Sequence, residues 1–429
     1  MKMKRAITVL LFVANVMGIS AQEGTWCGEL DIQGMKLPLV FNFTTEGCTM
    51  DSPSQGVKGL KAEKSYTQEG KLKVSVPMIG AIYEGVFLMN MISGSYTQNG
   101  MSFPLTLKPG APKVNRPQTP KGPFPYNTEE VRFQNGTYTF NGTLVLPKDC
   151  TAETPVVLFV TGSGQQDRDE ALFEHKPFAV IADALARNGI ASLRYDDRGY
   201  GDSSVPFFNF TTDDFRQDAS AGLDFLRKRF SKVGIVGHSE GGTIALMLAA
   251  EGKTDFIVSL AGMAVSGKET LLWQNRVSLQ AMGIPQAGVD QYIDIISTVF
   301  DHAAEGKLDT TITSLAPEAM KPLLKQAVKQ LSTPYIQHIL TVDVRPLLPK
   351  IQCPVLALNG KMDMQVDCQA NLQAMEKGLV NSKHEVMALD NLNHLFQHCK
   401  TGAVIEYQQI EETFAPEALQ KITEWLKAH

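Results

Sequence analysis

The chain has no excess of positive charge, and its apolar runs are short. Asp and Glu total 45 against 40 for Lys and Arg, which gives a formal net charge of −5 at pH 7. A nucleic-acid-binding surface needs clustered Lys and Arg, so this balance argues against a nucleic-acid partner. The apolar run near the N-terminus is well short of the roughly 20 residues that a membrane span needs, so no transmembrane span is predicted.

Cysteine is also scarce, and its spacing does not indicate a metal site. The six cysteines contain no C-x-x-C pair, which argues against a zinc ribbon and a thioredoxin-type redox pair. Because His, Cys and Asp do not cluster at ligand spacing, a zinc hydrolase is disfavoured. We therefore predict no metal site and no cofactor. Cys27 and Cys48 lie in the same N-terminal region, and a disulfide between them is an alternative that spacing leaves open.

The first 21 residues have the pattern of a secretory signal peptide. Lys2, Lys4 and Arg5 precede a short apolar run, and small residues then lead up to Ala21. We expect cleavage after Ala21 and export to the periplasm or the extracellular space. A retained membrane anchor is the alternative, for which the apolar run is short.

The rest of the chain is long enough for two domains, and its pattern changes along its length. Short alternating segments punctuated by Gly and Asn predict an all-β domain over 22–108. Six prolines over 109–125 predict a semi-rigid linker. Over 126–429, apolar runs alternate with helical stretches, which predicts an α/β domain with a mostly parallel sheet and helices on both faces. Residues 266–342 interrupt that rhythm with helical patterns, which predicts a helical cap.

Two local predictions within the second domain are more specific. The segment 131–146 is predicted to be a hairpin with turns at Asn135-Gly136 and Asn141-Gly142. Helical periodicity extends over 171–188, which predicts a helix of that length.

A nucleophile elbow is indicated by Gly237-His-Ser-Glu-Gly241, which fits the pattern G-x-S-x-G. A predicted strand precedes the motif and a predicted helix follows it, as this turn requires. Ser239 would occupy a strained turn with positive φ, in which side chains at Gly237 and Gly241 would collide with the backbone. The N–H of Glu240, at the start of the helix, is a candidate oxyanion-hole donor.

A serine hydroxyl is a weak nucleophile and needs a base, which an acid orients. In folds with this elbow, the acid and then the histidine follow the serine along the chain. His394 lies in a turn-rich segment after a predicted strand and is the candidate base, with His398 as the alternative. Asp363 lies in the loop after the preceding strand and is the candidate acid, with Asp367 and Asp390 as alternatives.

The loop after the predicted strand 156–160 offers the second oxyanion donor. Its glycines at 162 and 164 allow close backbone approach, so the N–H of Ser163 or Gly164 is the candidate. The charged residues 167–169 either pair within the fold or hold a polar group of the substrate, and we favour pairing. Arg198 is expected to brace its own loop by pairing with Asp196 or Asp202.

Together these segments resemble a branch of bacterial α/β-hydrolase esterases. The segments that carry the resemblance are Gly162-Ser-Gly-Gln-Gln-Asp-Arg-Asp-Glu170, Asp197-Arg-Gly-Tyr-Gly-Asp-Ser203, Gly237-His-Ser-Glu-Gly-Gly242, Asn359-Gly-Lys-Met-Asp363 and Asn391-Leu-Asn-His-Leu-Phe396. The resemblance spans 124–429 and implies carboxylesterase activity on short acyl esters, with Ser239, Asp363 and His394 as nucleophile, acid and base. A similar β-domain precedes such hydrolases in secreted bacterial proteins. Gln165 departs from the proline that such relatives often carry.

We therefore expect a serine hydrolase that cleaves a small-molecule ester or an acylated glycan through an acyl-enzyme. A peptidase or amidase with the same triad is an alternative, since fold and triad do not fix the bond that is cleaved. It would need an anionic patch in the cap to hold the substrate amine, for which the candidates are Glu269, Asp290, Asp294 and Asp301. A non-catalytic protein that binds glycans or a partner is the third hypothesis.

Overall fold

The chain divides into two compact units, residues 1–114 and 115–429. The structure is a computed structural model. It describes residues 23–32, 35–45, 47–53, 57–88, 90–110, 115–202, 205, 209–308, 311, 316–317 and 321–429. The predicted signal peptide, residues 1–21, lies outside the described residues. No helix in the described part of the chain combines the length and the apolar character that crossing a membrane would take.

The first unit is a closed antiparallel barrel. Its strands are β1 (Gly24–Ile32), β2 (Met35–Phe43), β3 (Cys48–Ser52), β4 (Val57–Tyr66), β5 (Leu72–Val76), β6 (Ala81–Leu88), β7 (Met91–Gln98) and β8 (Met101–Pro109). Each strand pairs with the next, and β8 closes the barrel on β1. In β5, Leu72, Val74 and Val76 are buried while the residues between them are partly exposed. This alternation fills the interior with apolar side chains.

The disulfide considered between Cys27 and Cys48 is wrong, because both thiols are free. The alternation of side chains along the strands explains why. Trp26 and Leu30 point into the barrel, so Cys27 faces outward, whereas Cys48 is buried in the interior. Strand β2 lies between the two cysteine-bearing strands. Burial raises the pKa of the Cys48 thiol to about 12.

The second unit contains a sheet of eight strands among its described residues. They are β9 (Asn127–Asn135), β10 (Tyr138–Leu146), β11 (Val156–Val160), β12 (Ala191–Tyr195), β13 (Val233–His238), β14 (Ile257–Leu260), β15 (Val355–Gly360) and β16 (His384–Leu389). Their spatial order is β16-β15-β14-β13-β11-β12-β10-β9. Strands β11 to β16 are parallel, and β9 and β10 add an antiparallel edge.

Helices cover both faces of this sheet. The helices beside the sheet are α1 (Pro177–Arg187), α2 (Thr212–Arg227), α3 (Glu240–Ala250), and, numbered after those of the cap, α8 (Cys368–Gly378) and α9 (Pro416–Ala428). Apolar residues of α2, α3 and α8 form one core with the sheet, and those of α1 and α9 form a second core with it. The continuous apolar strands are buried on both faces, as the sequence pattern predicts.

The cap lies between β14 and β15. Its helices are α4 (Gly267–Ala281), α5 (Gln286–Ala304), α6 (Lys321–Leu331) and α7 (Pro334–Ile339). They share a separate apolar core, and no strand occurs in the described part of 266–342.

Two local predictions differ from the structure. The hairpin turns once, after Asn135, while Asn141 and Gly142 lie inside β10. Glycine fits there because a Cβ at 142 would lie 2.7 Å from the carbonyl oxygen of Arg194 on the neighbouring strand. The helix predicted over 171–188 begins only at Pro177, since the preceding residues form a turn with positive φ at Phe173 and Glu174.

Candidate active site

Ser239 lies in a strained turn between β13 and α3, with φ 52° and ψ −119°. Its N–H donates to the carbonyl of Leu260 at 2.8 Å, which ties the turn to β14. A Cβ at Gly237 would lie 2.1 Å from the carbonyl oxygen of Gly241. A Cβ at Gly241 would lie 2.0 Å from the carbonyl oxygen of Val160. Both positions therefore require glycine, and the turn holds the serine at the carboxyl end of the sheet.

The loop that follows β11 lies against this serine. A Cβ on Gly162 would lie 3.2 Å from the Cβ of Ser239, so the backbone passes directly beside the nucleophile candidate. The buried Asp197 carboxylate holds the loop by accepting from the Thr161 hydroxyl at 2.7 Å and from the Gln166 N–H at 2.9 Å. Burial raises the pKa of Asp197 well above its usual range, and these two hydrogen bonds oppose that rise.

The charged residues of this loop pair within the fold. Arg168 forms hydrogen bonds with Asp196 at 2.6 and 3.0 Å and also contacts Glu130. Asp169 pairs with Arg194, and Asp167 accepts two backbone N–H groups of its own loop. These side chains therefore shape the loop that carries Ser163 and Gly164.

The prediction that Arg198 pairs with Asp196 or Asp202 is wrong. Asp196 is bound to Arg168, and the Arg198 guanidinium reaches α2, where it pairs with Asp218 at 2.5 Å and Asp214 at 2.9 Å. Arg198 therefore links its loop to α2 and does not form an ion pair within the loop.

Asp363 and His394 are brought together from loops beyond β15 and β16. His394 Nδ1 lies 2.7 Å from Asp363 Oδ2, and both residues are buried. The other carboxylate oxygen, Oδ1, accepts the N–H groups of Gln365 at 2.7 Å and Val366 at 2.9 Å. Since the carboxylate has fixed partners on both oxygens, it holds the imidazole with Nδ1 protonated.

His394 also lies beside the elbow. The ring of His238, the residue before Ser239, has its centroid 4.7 Å from that of His394. Its Nε2 lies 2.9 Å from the carbonyl oxygen of His394. The three predicted residues, Ser239, Asp363 and His394, therefore belong to one site at the carboxyl ends of the parallel strands.

The alternative acid and base residues have other partners. Asp367 caps α8, where its carboxylate accepts the N–H groups of Gln369 and Ala370. Asp390 pairs with Lys361 at the surface. His398 is half exposed and pairs with Glu412. None of these contacts includes Ser239.

Two buried side chains near Ser239, those of Glu170 and His238, were not predicted from the sequence. Glu170 accepts the Gly162 N–H at 2.6 Å and lies 2.9 Å from His238 Nδ1. In the sequence, His238 stands out only as the residue before Ser239, and Glu170 only as the last residue of the 162–170 segment. A polar residue directly before the serine, on an otherwise apolar strand, was the available signal.

A third contact joins the cap to the elbow. The hydroxyl of Tyr335, on α7, donates to the buried carboxyl of Glu240. Burial raises the pKa of Glu240, against the opposing effect of the hydroxyls of Thr212, Tyr335 and Ser163. Burial likewise raises the pKa of Tyr335 well above its usual value, as does Glu240, whereas Ser163 and the Gly164 backbone oppose the rise.

The described residues contain no group of three or more His, Cys, Asp or Glu side chains arranged to hold a metal ion.

A family model described as "Serine aminopeptidase, S33" (Hydrolase_4) matches residues 174–398, more than half of the chain. The chain belongs to this family. The match includes the elbow and the Asp363–His394 pair, and the predicted α/β-hydrolase fold is confirmed.

Known relatives of this S33 family chain include an esterase. Esterase EstD of Thermotoga maritima is 25% identical over 278 residues, which cover 63% of this chain and 62% of the relative. Human serine hydrolase BPHL is 24% identical over 222 residues, which cover 47% of this chain and 60% of the relative. The chain thus spans somewhat under two thirds of the length of these two relatives.

Similar solved structures share 16–17% sequence identity with the chain. Dienelactone hydrolase from Anabaena variabilis has a TM-score of 0.41, and the match covers 71% of this chain and 99% of that one. Est1E from Butyrivibrio proteoclasticus has a TM-score of 0.42, with 70% and 99% covered.

Proposed function

We propose that the protein is a serine hydrolase that cleaves carboxylic esters through an acyl-enzyme intermediate. The observation that carries this proposal is the buried 2.7 Å contact between His394 Nδ1 and Asp363 Oδ2 beside the Ser239 elbow. Family membership supports hydrolysis, and the name of the Thermotoga relative supports an ester as the bond.

In the proposed mechanism His394 accepts the Ser239 proton as Oγ attacks the ester carbonyl. The N–H of Glu240 and the N–H of Ser163 or Gly164 stabilise the oxyanion. His394 then protonates the departing alcohol, and water attacks the acyl-enzyme by the same route to release the acid. Asp363 keeps the imidazole in the tautomer that can accept at Nε2.

The Ser239→Ala variant tests this proposal. We expect kcat for p-nitrophenyl acetate to fall by about 10⁶-fold with the fold unchanged. A fluorophosphonate probe should label the wild-type protein at Ser239 and leave the variant unlabelled. Hydrolysis that persists in the variant would show that another group carries the reaction.

A peptidase is the second candidate, because the family description names an aminopeptidase. Three of the four acidic residues considered for an amine-binding patch are engaged in ion pairs: Glu269 with Arg345, Asp290 with Arg276 and Asp301 with Lys268. These pairs favour the esterase. A panel of acetyl, butyryl and feruloyl esters beside aminoacyl nitroanilides separates the two, since turnover of the anilides alone would contradict the ester proposal.

We further propose that the protein is exported and acts on a small-molecule ester or an acylated glycan. The N-terminal charge and apolar pattern supports export. Expression of the full chain in a bacterial host, followed by N-terminal sequencing of the mature protein, should show residue 22 as the first residue. An intact N-terminus on membrane-bound protein would instead favour a retained anchor.

A further inference from the structure

The buried pair Glu170–His238 joins the two loops that flank Ser239. Glu170 lies in the loop after β11 and is 4% exposed, and its φ of 52° is unfavourable for a residue with a side chain. One oxygen, Oε1, both accepts the Gly162 N–H at 2.6 Å and lies 2.9 Å from His238 Nδ1. The strained backbone is thus associated with a carboxylate aimed at the elbow.

His238 continues the connection to the base. Its Nε2 lies 2.9 Å from the carbonyl oxygen of His394, and a carbonyl can only accept, so Nε2 carries a proton. Nδ1 faces Glu170 Oε1 at 2.9 Å, so the His238 ring is held on both sides. Burial disfavours a positive charge on the ring, yet Glu170 raises the pKa of His238 above its ordinary value, with smaller contributions from the His394 carbonyl and Asp363.

Each end of this connection terminates on a group of the site. Gly162 directly precedes the candidate oxyanion donors Ser163 and Gly164, and Glu170 holds its N–H. The His394 carbonyl fixes the backbone of the base, while Asp363 fixes its ring. A buried ion pair contributes little net stability because desolvation offsets the attraction, so stability alone does not account for the arrangement.

We propose that Glu170 and His238 are positioning residues that hold the oxyanion loop and the His394 loop in register around Ser239. The inference rests on the proposed triad, and it assigns no contact with the substrate to either residue. Loss of either contact would let one loop shift relative to the serine, and a shift of about 1 Å in a catalytic group costs about 100-fold in rate.

Two substitutions at His238 remove its two contacts separately. His238→Gln keeps a donor near the Nε2 position for the His394 carbonyl and removes the contact with Glu170. His238→Asn keeps a donor near the Nδ1 position for Glu170 and removes the contact with the His394 carbonyl. We expect both to lower kcat for p-nitrophenyl acetate by about 10- to 100-fold while KM stays within about twofold. Adding Glu170→Gln to His238→Gln should cause little further loss, since the contact is already broken.

The matched control is His398→Gln, which removes contacts of another histidine with the carboxylates of Glu412 and Glu417. His398 lies four residues beyond His394. We expect its kcat to stay at the wild-type value. All rates are divided by the number of sites that a fluorophosphonate probe labels at completion, so that a poorly folding variant is judged on its folded fraction.

A wild-type kcat per labelled site in both His238 variants would overturn the inference, as would a loss confined to KM. The proposed function fails differently: Ser239→Ala would then keep its activity or its labelling, whatever the His238 variants do.

Discussion

The Asp363→Asn variant is a strong test of the acid assignment, because the structure dictates how the new amide must turn. In the wild type, Asp363 Oδ1 accepts two backbone N–H groups, at 2.7 and 2.9 Å, and Oδ2 faces His394 Nδ1. An asparagine must keep its single oxygen toward the two backbone donors. Its NH₂ group then faces Nδ1 and donates to it.

This reversal moves the His394 proton from Nδ1 to Nε2, the atom that must accept from Ser239. In a serine–histidine–aspartate triad, this wrong tautomer lowers kcat by about 10⁴-fold. That factor corresponds to about 5.4 kcal/mol of transition-state stabilisation at 1.36 kcal/mol per tenfold. KM should change little, because Asp363 lies behind the histidine.

The assay is the steady-state hydrolysis of p-nitrophenyl acetate, with thermal unfolding to verify the fold. Asp367→Asn is the matched control, since asparagine caps a helix as well as aspartate does, and its kcat should stay near that of the wild type. The reasoning is refuted if Asp363→Asn keeps kcat within tenfold of the wild type, or if Asp367→Asn shows the large loss instead.

Three further predictions concern the supports of the site. Gly241→Ala should lower the free energy of unfolding by about 3 kcal/mol, because the new Cβ would lie 2.0 Å from a carbonyl oxygen. Urea unfolding measures this loss, and Gly252→Ala is the control. A Cβ at Gly252 meets no atom within 4 Å, so that variant should lose only about 1 kcal/mol, because of its positive φ. Because burial raises the pKa of Glu240, the unfolded chain loses that proton first, and wild-type stability falls as pH rises from about 4.5 toward the folded value. The stability of Glu240→Gln relative to the wild type should therefore increase over this pH range, and a pH-independent difference would contradict the assignment. Arg168→Ala should lower the free energy of unfolding by about 2 kcal/mol and should also lower kcat, because it releases the loop after β11 from Asp196. Arg229→Ala breaks an exposed ion pair, so it should lower the free energy of unfolding by less than about 1 kcal/mol and leave kcat unchanged.

The fold, the elbow turn and the approach of Asp363 to His394 could be predicted from the sequence because their signals are local. The apolar run of β13, the glycines at 237 and 241 and the helix after them occupy one short segment. The positions of Asp363 and His394 followed from the order of strands, since loops at the carboxyl ends of parallel strands meet at one edge of the sheet.

The remaining parts of the site depend on contacts between distant residues. Tyr335 lies 95 positions from Glu240, and Glu170 lies 68 positions from His238. No periodicity or turn chemistry encodes such pairs. The wrongly predicted turn at Asn141-Gly142 also results from a contact between distant residues. Gly142 is needed because a neighbouring strand passes close to it, and the chain does not change direction there.

The closed barrel of the first unit has a consequence for the behaviour of the protein at high concentration. Since β8 pairs with β1, the described strands form a ring without a free edge. A free edge is the template on which strands of another molecule add during aggregation. The barrel therefore gives neighbouring copies no backbone ladder to extend, and any self-association through it has to depend on side chains alone.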